Sequence, residues 1–179
     1  MGFRLADNAF AVLGASMRAN TSEMVSAYQD AVLDGVHDEA VLAKAKATLT
    51  NPRERLRAEV SFLPNSNPRE ARAILAKLQV DNDGSIEGNG TLDTANLLAD
   101  ALDRHRDPSI LIDLVINIAE IDTAAGVADI NAARQVSNVR AADHEAVGDA
   151  LTWLIGRHAE VGAKAAANGL AGAEAAEGV

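Results

Sequence analysis

Cysteine is missing from this chain altogether. Disulfides, thiolate nucleophiles and cysteine-ligated zinc are therefore excluded. Aromatic residues are nearly as scarce, at 3% of the 179 residues, although apolar residues as a whole reach 48%. A core must then be assembled from Leu, Ile, Val and Ala, and alanine, the strongest helix former, loses no side-chain freedom on ordering. No stretch alternates β-branched with polar residues, so no sheet is expected. No apolar run approaches the roughly 20 residues of a membrane-spanning helix. The opening MGFRLADNAF lacks the apolar core of a secretion signal. These absences predict an all-α protein of the cytoplasm with no membrane association.

Positive charge is also in short supply. Lys and Arg number 16 against 26 Asp and Glu, a net charge of −10. Residues 1–64 carry seven basic and eight acidic side chains, and the remainder nine and eighteen, so the second part alone stands at −9. Such a surface repels nucleic-acid phosphates, and no direct nucleic-acid binding is expected. It suits either a solvated exterior or a cover for a basic surface on another protein.

Catalytic and metal-binding patterns are missing too. His37, His105, His144 and His158 stand far apart, with no H-E-x-x-H pair, no G-x-S-x-G elbow and no phosphate-cradling glycine loop. The acidic, glycine-rich stretch from Asp81 to Gly90 invites comparison with a calcium loop. Its glycine falls at the fourth position and Leu92 at the twelfth, where that loop needs glycine sixth and glutamate twelfth. It reads as a linker. No catalytic residue, cofactor or metal ligand is expected.

What the chain does contain is helical periodicity and clear stops. Phe10, Val12, Leu13 and Gly14 form a short apolar element ending in glycine. Thr21 stands where a helix cap belongs. Met24, Ala27, Tyr28 and Ala31, then Val41, Leu42, Ala45 and Leu49, recur at three- and four-residue spacing and predict two amphipathic helices. Thr50-Asn51-Pro52-Arg53 breaks the second, because proline disfavours helical geometry before it and suits a first helical turn. Arg55, Leu56, Arg57 and Glu59 continue into a short helix.

This order resembles the J-domain family, whose first helix reads Y-x-V-L-G and whose third helix ends at S-D-P. The resemblance covers the first third of the chain. It implies a helical hairpin with a short helix on either side, and docking to an Hsp70-like chaperone. The family docks through His-Pro-Asp in the hairpin loop and a basic second helix. Here the loop reads Asp34-Gly35-Val36-His37-Asp38-Glu39, without the proline, and Ser22 to Leu33 has no Lys or Arg but carries Glu23 and Asp30. His37-Asp38 reads as a variant docking signal or, more commonly for such a pair, as a polar loop capping the next helix.

Beyond Leu63, the Pro64–Pro68 turn cluster opens a second helical region. Its expected helices run from Arg69 to Leu78, from Leu92 to Arg104, from Pro108 onward, from Asp122-Thr123 onward and from His144 to Val161. Ile110, Leu111, Leu114, Val115, Ile118 and Ile121 make a rich apolar stripe that belongs in a core or a dimer seam. Glu120-Ile121-Asp122 followed by a short and a long helix resembles the helical extension of bacterial proteins with a degenerate J-like start, some of them chaperone-linked. The expected division is a J-like part (1–64), an acidic helical part forming a small bundle (65–162) and an Ala/Gly-rich tail (163–179).

Two roles follow. One is a non-enzymatic adaptor with a J-like fold that binds an Hsp70-like chaperone or another protein. The other is a phage- or mobile-element-encoded inhibitor, of anti-CRISPR or other anti-defence type, whose acidic helices block a basic nucleic-acid-binding site on a partner. His37, Asp38, Asp100, Asp103, Glu120 and Trp153 are the expected partner contacts. Self-association through the apolar stripe is left open.

Overall fold

The computed structural model describes residues 2–80 and 90–177, with side chains described for 2–78 and 90–168. The fold is all-α: among the described residues every regular element is a helix. None of these helices is long and apolar enough to cross a membrane.

Capping chemistry sets the helix boundaries. A 3-10 turn, Leu5–Asp7, leads to α1 (Ala9–Val12), which Asn8 caps by accepting from Phe10 N. Gly14 then takes a φ of 61°, a left-handed conformation that an L side chain resists. Helix α2 (Thr21–Asp34) begins one residue earlier than the expected cap allowed. Asn20, not Thr21, is the N-cap, accepting from Glu23 N at 3.0 Å while Glu23 returns a bond to Asn20 N at 2.8 Å. That reciprocal pair satisfies two free donors at once, which a threonine inside the first turn does not. Gly35, with φ 63°, ends α2 and turns the chain toward α3 (Glu39–Thr50). Asn51 and Pro52 break the helix as the sequence predicts: Asn51 accepts from Arg53 N and Glu54 N, and Pro52 starts α4 (Pro52–Val60).

Asn67 and Pro68 repeat this arrangement at the start of α5 (Pro68–Val80). Residues 81–89, including most of the loop compared with a calcium site, lie outside the described residues. Thr91, Asp107 and Asp122 cap α6 (Leu92–His105), α7 (Pro108–Glu120) and α8 (Thr123–Val136). Helix α9 runs from His144 through Glu177, continuing past Val161 into the Ala/Gly-rich tail. Alanine carries it onward, and Ala165 still reaches the core.

Packing unites the two parts. Helix α3 packs on α1, α2 and α4, while α9 packs on α4, α6, α7 and α8. One cluster of buried apolar side chains extends from Phe3 to Ala165, and Phe10 stacks on Phe62 within it. Residues on both sides of position 64 contribute to this cluster.

Candidate functional site

The six expected contact residues occupy different surroundings. His37 and Asp38 are exposed in the connection between α2 and α3. Asp38 is the N-cap of α3, but its side chain makes no capping bond, and only its backbone carbonyl accepts, from Val41 N and Leu42 N. Around them Leu33 and Val36 project into solvent, 84% and 77% exposed. Asp100 does not lie on an acidic surface: it is buried on α6, and its carboxylate accepts from Leu5 N at 2.8 Å and pairs with Arg104 and Arg4. A carboxylate flanked by two guanidinium groups and an amide belongs to the interior because it is paired there. Asp103, one turn on, is half-buried against the backbone of Gly2. Glu120 is exposed at the end of α7. Trp153 is half-buried on α9, with the Arg57 guanidinium 5.3 Å from its ring centre. No hydrogen bond, ion pair or ring contact joins any two of the six.

Helix α7 presents the clearest outward surface. Its sequence predicts a stripe for a core or a dimer seam, and most of it turns inward: Leu114 is fully buried, Ile110, Leu111, Ile118 and Ile121 pack against the core's edge, and Val115 alone of the six faces out. The opposite face is also apolar. Ile112, Val115 and Ile116 are 61%, 59% and 51% exposed, and their i, i+3, i+4 spacing puts them side by side. Asp113 and Glu120 are exposed on the same helix, and Pro108–Glu120 contains no Lys, Arg or His. The sequence count of apolar residues concealed this division, because α7 is apolar on nearly every side.

Two buried polar networks were not anticipated. In the first, the Glu59 carboxylate accepts from Arg55 Nε at 2.8 Å and from Arg134 Nε at 2.7 Å. Arg55 also reaches the carbonyls of Met17 and Ala19, and Arg134 that of Arg140. Arg55 and Glu59 are spaced for a helical ion pair, a signal available in the sequence. Arg134 lies 75 residues from Glu59, and no local pattern links them. In the second network, Asn96 donates to the Val60 and Phe62 carbonyls, so its Oδ1 faces His158 Nε2 at 3.1 Å as acceptor. His158 therefore carries a proton on Nε2 and donates it to Asn96 Oδ1. Burial, with the nearby Arg157 charge, lowers its pKa to about 4. Asp93 moves the other way: burial raises its pKa to about 6, against hydrogen bonds from Ser66 and Asn65 that lower it.

Among the described residues no group of three or more His, Asp or Glu lies close enough to hold a metal ion. In comparison with known proteins, no family model matches the chain, and no curated protein or solved structure matches it.

Proposed function

We propose that this chain is a non-enzymatic protein-binding adaptor, built on a J-like scaffold, that docks a partner through the outward face of α7. The observation that carries this reading is the exposure of Ile112, Val115 and Ile116 together on a helix that holds carboxylates and no cation. Contiguous exposed aliphatic groups mark association surfaces. An apolar centre bordered by Asp113 and Glu120 is complementary to an apolar patch edged with Lys or Arg. The net charge of −9 over residues 65–179 favours the same kind of partner. If the partner's patch is a nucleic-acid-binding surface, docking there blocks it, and the adaptor acts as an inhibitor.

The test compares the intact chain with an Ile112→Ser, Ile116→Ser variant. Proteins retained by the first and lost by the second are purified, and binding is measured by surface plasmon resonance at rising salt. Loss of two central aliphatic anchors is expected to weaken affinity by roughly a hundredfold. Salt is expected to slow association, since charges at the rim steer encounter. Binding that survives the double substitution moves the interface off α7 and overturns the proposal.

A further inference from the structure

We propose that an arginine-lined cleft between α4 and the α8–α9 connection binds a multiply charged oxyanion of small-molecule size, a phosphate or polycarboxylate compound. The cleft has a volume of about 1160 Å³. Arg53 and Arg57 enter it from α4, Arg140 from the α8–α9 connection, and the nearly buried Arg55 and Arg134 form its floor. Asp143 and Asp149 also line it, and Asp143 is engaged in accepting from Ala146 N.

Charge at the floor is incomplete. One carboxylate, Glu59, serves both buried guanidinium groups, which leaves a surplus positive charge where solvent screens it poorly. Arg134 is 5% exposed, and its Nη2 has no hydrogen-bond partner. A buried cation without full pairing is costly, and an anion seated above it offsets that cost. The side chains of Arg53 and Arg140 at the rim make no ion pair among the described residues, whereas Arg57 is taken by Glu54 at 3.1 Å. The free guanidinium forks of Arg53 and Arg140 at the rim are the donors that an oxyanion accepts from, and the incompletely paired charge of Arg134 beneath them adds attraction without direct contact. The chain's net charge of −10 sets the size of the ligand. It repels a long polyanion but leaves a compact one free to enter a locally cationic cleft.

The experiment is isothermal titration of the full chain with tripolyphosphate and, separately, with citrate. Saturable one-to-one binding and a raised thermal midpoint are expected with at least one of them, and the arm that responds identifies the phosphate or the carboxylate source. An Arg53→Ser, Arg140→Ser variant, changed only at the exposed rim, is expected to bind roughly ten- to a hundredfold more weakly while its unliganded melting stays the same. Arg134→Gln, which removes the charge beneath the cleft, should weaken binding as well, and if that variant does not fold the rim variant still decides. No saturable binding in either arm, or equal binding by the rim variant, overturns the proposal. The Ile112→Ser, Ile116→Ser variant should bind both ligands as the unaltered chain does, so this test stands apart from the role of α7.

Discussion

At the scale of single residues, two buried titrating groups oppose each other. His158 has a folded pKa of about 4 against an ordinary 6.5. Between those values the unfolded chain takes up a proton that the folded protein refuses, so stability falls as pH falls. Asp93 has a folded pKa of about 6 against an ordinary 3.8. Its protonated form is favoured in the folded state, so its contribution is full below 3.8 and is lost as pH rises through about 6. The two slopes cancel across most of that window. An Asp93→Asn variant keeps one oxygen to accept from Asn65 N, presents an NH2 donor toward Ser66 Oγ where the second carboxylate oxygen stood, and removes the second slope. Its stability relative to the unaltered protein is expected to improve as pH rises from 4 toward 6, by at most about 1.4 kcal/mol per pH unit. Urea unfolding across that range measures it, and a difference that does not change with pH counts against the assignment.

At the scale of elements, boundaries were legible and faces were less so. Asn51-Pro52 and Asn67-Pro68 start helices because a side-chain oxygen and a preset φ act within a few residues, and such signals need no tertiary contact. The start of α2 shows the reverse: both Asn20 and Thr21 can cap, and only the reciprocal bond with Glu23 selects Asn20. Burial depends on distant partners. The α7 stripe was therefore visible, but not that Val115 would turn outward beside Ile112 and Ile116, and Asp100 gave no sign that Arg4 and Leu5 would enclose it. Helix α2 invites a further expectation. Its fourteen residues include Glu23, Asp30 and Asp34 and no Lys or Arg, its last turn exposes Leu33, and the connection after it exposes Val36 beside His37. A surface of that sign does not steer toward the acidic docking face of a chaperone ATPase domain. Purified chain added to an Hsp70 chaperone is expected to leave steady-state ATP turnover unchanged. A several-fold rise would assign the hairpin a docking role despite its charge.

At the scale of the whole molecule, the Arg55–Glu59–Arg134 cluster ties distant parts of the chain together. Arg55 holds the carbonyls of Met17 and Ala19 ahead of α2, Glu59 lies on α4, and Arg134 ends α8 beside Arg140. Ser137 adds a bond to the same Met17 carbonyl. Helix α4 also packs on α9, so the apolar core and this polar cluster connect the same two regions. Unfolding is then expected to be one cooperative event, with far-UV circular dichroism and the fluorescence of Trp153, the only tryptophan, changing together. Glu59→Gln is the sharper test. It keeps the shape of the side chain but removes the only carboxylate between two buried guanidinium groups. Two like charges then face each other without compensation, and the expected loss is about 3–5 kcal/mol of unfolding free energy. Both probes should move to lower urea by the same amount, because the damaged cluster belongs to both regions. If the circular dichroism splits into two steps, or if Trp153 keeps its original midpoint, the two regions are stabilised separately and the cluster does not couple them.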